Sequence, residues 1–125
     1  MAYRKIAAAL AGLIAALAVW GCDPVLEDRE PATGGNPKRG KELITQFGCG
    51  SCHTIPGIKG ATATVGPPLQ DFRKRVYIAG RLNNNAGELT KWIVDPRAVD
   101  PKTAMPAVGV DASQARDIAA YLYSR

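Results

Sequence analysis

Phe47-Gly48-Cys49-Gly50-Ser51-Cys52-His53 gathers two thiols and an imidazole in a chain of 125 residues with three Cys and a single His. Three chemistries use thiols at this spacing. A redox dithiol needs a strand-helix-strand context, and no such alternation surrounds the motif. A structural zinc site needs four ligands, and only Cys49, Cys52 and His53 cluster here. C-x-x-C-H is also the attachment sequence of c-type haem. Two thiols three positions apart can form thioethers to the two vinyl groups of one porphyrin. The adjacent His53 then falls beneath the iron as its ligand. Gly48 and Gly50 let the backbone pass close to the macrocycle. This third chemistry is the expectation: one haem c, bound covalently through Cys49 and Cys52.

A second axial ligand follows by elimination. There is no second His, and Met105 is the only Met besides the initiator. It lies in Lys102-Thr103-Ala104-Met105-Pro106, a Pro-flanked loop where a thioether can be held toward iron. A core methionine would more naturally lie on a helix face. Met/His ligation raises the reduction potential. A ligating His also needs an acceptor for its other ring N–H. Gly66-Pro67-Pro68-Leu69 can offer the Pro67 carbonyl on a rigid segment, although the same residues would also make a plain turn.

The elements that must position these residues are short helices. Asn36-Pro37 is a helix start, with an N-cap residue and Pro at the first position. That helix runs through Leu43, Ile44 and Phe47 and stops at Gly48. Residues 48–69 are rich in Gly, Pro and Thr and read as loop. Gln70–Ala79 reads as a short helix carrying Arg73-Lys74-Arg75. Asn85 with Glu88 opens a helix with Leu89, Trp92 and Ile93 on one face, and Pro96 closes it. A Pro-containing loop follows through Pro101 and Pro106. Asp111 with Gln114 resembles a capping box, and opens a last helix with Ala115, Ile118, Ala119 and Leu122 as its apolar stripe. The fold class expected is all-α, with about four helices and long loops. A domain of this size buries only a modest core. An apolar cofactor would supply the rest.

The N-terminal part reads differently. Met1–Gly21 has Arg4 and Lys5 followed by the apolar run Ile6–Trp20, the anatomy of a secretory signal. The run is short for a spanning helix, which needs roughly 20 apolar residues. Val19-Trp20-Gly21-Cys22 resembles a bacterial lipobox, which makes Cys22 the expected lipidation site. An uncut N-terminal anchor and a soluble secreted form remain open. Residues 22–37 are acidic and rich in Pro and Gly, and read as a flexible tether. Residues 38–125 form the folded domain, with 13 basic and 7 acidic residues. The length excludes a large two-domain enzyme and a polytopic membrane protein. One His excludes sites needing two imidazoles.

These features together resemble a class I, monohaem cytochrome c. The first helix with Gly40 and Ile44, CGSCH at 49–53, GPPL at 66–69, TAMP at 103–106 and the final helix with Tyr121 occur in order, from Pro37 to the end. CHTIPGIKGA, VGPPL, YIAGRL and VDPKTAMPAVGV further resemble the cytochrome c domain attached to some bacterial haem–copper oxidases. The resemblance implies that Cys49 and Cys52 bind the haem and that His53 and Met105 ligate its iron. It implies that the Pro67 carbonyl orients His53, that Leu69 belongs to the same haem-facing segment, and that Trp92 lies on the Met side. It places Arg75, Tyr77 and Arg81 near the propionates. It has the first and last helices cross, with Gly40 allowing the approach and Tyr121 packing there.

The implied function is one-electron transfer rather than catalysis in its own right. A quinol-oxidising complex would be the donor and a haem–copper oxidase the acceptor, with no nucleic-acid partner. The place would be the outer face of a bacterial cytoplasmic membrane. Lys59, Arg97 and Lys102 flank the haem loops and are the expected docking charges. Two alternatives stay open: a haem subunit of a larger respiratory complex, and a haem enzyme or gas sensor if Met105 leaves the iron.

Overall fold

The computed structural model describes residues 28–125. The expected signal, Cys22 and the first part of the expected tether lie outside the described residues. Four helices carry the fold: α1 (Pro37–Gln46), α2 (Ala86–Val94), α3 (Pro96–Val99) and α4 (Ala112–Tyr123). Two 3-10 turns, Cys49–Ser51 and Phe72–Lys74, and one antiparallel pair of two-residue strands, β1 (Tyr77–Ile78) and β2 (Leu82–Asn83), complete the described elements. Among the described residues no helix is long and apolar enough to cross a membrane.

Local signals set the helix ends. The Asn36 side chain accepts from the amides of Lys38 and Arg39, and Pro37 occupies the first turn, where an amide would be orphaned anyway. Asn85 caps α2 by accepting from the Glu88 amide at 3.0 Å. At α4 the capping box is reciprocal: the Gln114 amide donates to Asp111 Oδ1 at 2.8 Å, and the Asp111 amide donates to Gln114 Oε1 at 2.9 Å. Helix α1 ends at Phe47–Gly48, and Gly48 adopts φ 69°, a left-handed conformation that glycine enters at no steric cost.

Helices α1 and α4 cross closely. A Cβ on Gly40 would collide with the Asp117 carbonyl of α4, and one on Gly35 would meet the Arg116 backbone. Tyr121 is buried behind this crossing, and its hydroxyl donates to the Pro56 carbonyl at 2.6 Å. Leu43, Ile44, Leu89, Trp92, Ile93, Ile118 and Leu122 belong to one hydrophobic core that includes Tyr121.

The structure departs from the sequence expectation in three places. Gln70–Ala79 is not a helix. A 3-10 turn at Phe72–Lys74 leads into the β1–β2 hairpin, whose tip Ala79–Gly80 has φ 51° and 67°. Val76-Tyr77-Ile78 favours an extended chain, and a left-handed tip matches the strand twist. Pro96 closes α2 but also starts α3, capped by Asp95, whose carboxylate accepts from the Ala98 amide at 3.1 Å. The segment read as flexible tether is built into the fold from Asp28 onward. The Glu30 amide donates to the Gly35 carbonyl, and the Gly34 amide to the Glu30 carbonyl, both at 2.8 Å. Glu30 is only 5% exposed. Its carboxylate accepts from the Thr33 amide at 2.7 Å and from Arg73 at 3.2 Å. A buried carboxylate with an arginine partner ties the segment to the Phe72 turn.

Candidate functional site

Cys49 and Cys52 stand on the turn after α1, and His53 follows directly. The loop at 66–69 is stitched to this turn by backbone bonds. The Gly66 amide donates to the Cys52 carbonyl at 2.7 Å, and the Leu69 amide to the Thr54 carbonyl at 2.8 Å. These bonds bring the Pro67 carbonyl to 2.7 Å from His53 Nδ1. A carbonyl only accepts, so Nδ1 carries the proton and the Nε2 lone pair is left for a ligand. Gly66 packs directly on the imidazole, and a Cβ there would overlap the ring.

A cavity of about 370 Å³ opens beside these groups. Cys49, Cys52, His53, Pro67, Leu69, Trp92 and Met105 all line it. Ile44, Phe72, Leu89, Ile118 and Leu122 make its apolar floor. Met105 is held locally, because its amide donates to Thr103 Oγ1 at 3.2 Å. The Thr103 amide in turn donates to the Asp100 carbonyl at 3.0 Å. Burial pushes the Cys49 thiol up from its usual value, a backbone hydrogen bond opposes that, and the neighbouring Cys52 adds to it.

Arg75 also lines the cavity. Its guanidinium donates to the Pro68 carbonyl and, at 3.3 Å, to the Gln70 carbonyl, while lying 4.9 Å from the centre of the Phe72 ring. It fastens the loop behind His53 to the Phe72 turn. Tyr77 and Arg81 are not among the cavity-lining residues. Tyr77 is 57% exposed, because strand alternation turns Ile78 inward and Tyr77 outward. Arg81 pairs with Asp100 at 3.2 Å, linking the hairpin to the chain before the Met105 loop. Lys59, Arg97 and Lys102 are exposed, and none of them forms an ion pair among the described residues.

One structural residue escaped the sequence reading. Asn84 donates to the carbonyls of Phe72 and Arg75 at 2.8 and 2.9 Å and accepts from the Tyr123 hydroxyl at 2.8 Å. It closes the cavity wall onto α4. Its only sequence signal is a place in Asn83-Asn84-Asn85, where Asn85 accounts for itself as a cap. Tyr123 sits in the same cluster. Burial and the Glu30 carboxylate raise its hydroxyl above the usual tyrosine value, and Arg73 counteracts this in part.

The residues fit a haem c. Two thiols, an imidazole with a directed Nδ1–H and an open Nε2, and a thioether share one apolar cavity. Its volume is in the range of ligand sites. Among the described residues no three His, Cys, Asp or Glu side chains converge as a bare metal ion would need.

Comparison with known proteins agrees with this chemistry. The cytochrome c family pattern matches residues 37–125. The chain is 35% identical over 69 residues to cytochrome c oxidase subunit 2 of Alkalihalophilus pseudofirmus, covering 55% of this chain and 19% of that protein. It is 32% identical over 88 residues to cytochrome c oxidase subunit 2 of Bacillus subtilis, covering 69% of this chain and 25% of that protein. It is 36% identical over 66 residues to the same subunit of Bacillus sp. PS3, covering 51% of this chain and 18% of that protein. The chain thus spans about a quarter or less of these relatives.

Proposed function

This chain belongs to the cytochrome c family, and we propose that it is a membrane-tethered one-electron carrier that delivers electrons to a haem–copper oxidase. The haem, once attached, supplies the one-electron iron couple. The chain's residues do the rest. Cys49 and Cys52 would hold the group covalently. His53 and Met105 would both ligate its iron, which would leave no open coordination site for oxygen or peroxide. The Pro67 carbonyl fixes the tautomer and direction of His53. Trp92 and the aliphatic floor exclude water, which favours the reduced, less charged iron. A quinol-oxidising complex is the donor that fits an exported carrier. The outer face of a bacterial cytoplasmic membrane is its place, with Cys22 as the acylated anchor.

One observation carries the reading of the site: His53 and Met105 line the same apolar cavity as the two thiols. The test is Met105→Ala in the holoprotein. Wild type should show the weak sulfur-to-iron absorption band toward the red and should not bind CO rapidly when reduced at neutral pH. The variant should lose the band, bind CO, and have a lower midpoint potential. Identical spectra would overturn ligation by Met105, and rapid CO binding by wild type would favour a gas sensor or haem enzyme.

The relatives support a second reading. These relatives are oxidase subunits, so this chain can equally be an electron-entry subunit that stays with its oxidase. Co-purification from native membranes in a fixed ratio to the oxidase separates the subunit from the free carrier.

A further inference from the structure

A second cavity, of about 410 Å³, lies where the 28–36 segment meets the first turns of α1 and α4. It shares no lining residue with the haem cavity. Arg29, Arg39 and Arg116 line it, with Asp28 and Asp117 as the only carboxylates. Both carboxylates are already engaged. Asp28 pairs with Lys38 at 2.7 Å. Asp117 accepts from the Asn36 amide at 2.8 Å and faces Arg39 Nε at 3.5 Å.

The guanidinium groups keep donors to spare. Arg29 uses one nitrogen on the Gly34 carbonyl, and Arg39 uses Nε. Arg116 forms no ion pair among the described residues. Ser113, in the N-terminal turn of α4, also lines the cavity. Surplus guanidinium donors and neutralised carboxylates make a cavity for an anion, and guanidinium forks match phosphate oxygens.

We propose that this cavity binds the phosphate of an anionic phospholipid headgroup. The argument for a lipid is reach. Asp28 lines the cavity and lies six positions after Cys22, with five residues between them. Fully extended, these six steps span at most about 22 Å. An anchor at Cys22 therefore keeps this cavity close to the bilayer surface, where anionic headgroups attract clustered arginines. With the cavity seated on headgroups, the haem domain takes one orientation, and the separate haem cavity stays free for a redox partner. The choice of lipid over free phosphate rests on the proposed anchoring, and the binding site itself does not.

The test is an amide NMR titration of the reduced, full-chain holoprotein in neutral detergent. The probes are glycerophosphoglycerol, the soluble headgroup phosphodiester, and inorganic phosphate. Saturable shifts should appear around Asn36 and Arg116 with glycerophosphoglycerol, and residues of the haem cavity should not move. Arg116→Gln should weaken binding by about tenfold or more. Arg29→Gln is the second variant, should the first disturb folding. Saturation by inorganic phosphate but not by the phosphodiester overturns the lipid assignment. Saturation by neither probe, or equal binding by both variants, overturns the site. Anchoring is read separately, from the mass of the mature N-terminus, so its failure is distinguishable from failure of the cavity.

Discussion

Gly66 stands where the His53 imidazole leaves no room for a methyl group: a Cβ there would lie 2.7 Å from Nδ1 and closer still to the ring carbon beside it. The neighbours that would have to give are the ring and the loop carrying the Pro67 carbonyl. That carbonyl is bonded to Nδ1 at 2.7 Å and backed by the Gly66–Cys52 backbone bond. Gly66→Ala should therefore stretch the Nδ1–H···O bond. A weaker bond leaves the imidazole less electron-rich, so it stabilises ferric iron less and the midpoint potential should rise. The crowding should also cost about 1–3 kcal/mol of stability. A redox titration and a guanidinium melt of the holoprotein check both effects. If neither changes, the imidazole position does not depend on this contact. The site's reactive groups could be read from sequence because Cys49, Cys52 and His53 are chemically coupled by their own spacing. Gly66 could be noticed in GPPL, but not as a wall for an imidazole 13 positions earlier. That role depends on the folded loop.

At the scale of elements, the crossing of α1 on α4 fixes the frame in which both loops face one cavity. Gly40→Ala tests it with opposing terms. Alanine gains roughly 1 kcal/mol of helix propensity over glycine. The new methyl would strike the Asp117 backbone carbonyl, which cannot rotate away. Overpacking of this kind costs about 1–3 kcal/mol and occasionally more. Because the obstacle is backbone, the steric term should win, with net destabilisation of about 1–2 kcal/mol. The chemical-unfolding midpoint, followed by haem absorbance, checks the sign. A more stable variant would mean that the helices can separate without loss. Helix starts were legible from sequence because caps are local: Asn36-Pro37, Asn85 and the Asp111–Gln114 box each act within one turn. The hairpin at 77–83 and the anchoring of 28–36 were not. The hairpin replaces an expected helix because its left-handed tip and β-branched flank outweigh a weak helical pattern. The 28–36 segment is ordered by Glu30 meeting Arg73, which is 43 residues away. Composition read that segment as a tether because it registers Pro, Gly and charge but not a partner so distant.

For the whole molecule, the charge pattern and the cavity mouth act over different ranges. Residues 38–125 carry 13 basic and 7 acidic residues, so the domain attracts an acidic partner from a distance. At contact the surface is apolar: Val65 and Val108 line the mouth of the haem cavity and are 79% and 36% exposed. Steering by charge decays over a Debye length of roughly 8 Å at physiological salt, whereas apolar contact does not. The second-order rate of oxidation by a haem–copper oxidase should therefore fall as ionic strength rises and level off above zero. Replacing Lys59, Arg97 and Lys102 together by Gln should lower the low-salt rate by about tenfold, and the variants should converge with wild type at high salt. None of the three residues lines the haem cavity. The midpoint potential and the absorption spectrum should thus stay the same, which separates loss of encounter from damage to the site. Stopped-flow oxidation across a salt series reads all of this. A rate that ignores both salt and the triple substitution would remove electrostatic docking and leave the apolar rim around Val65 and Val108 as the whole of the recognition.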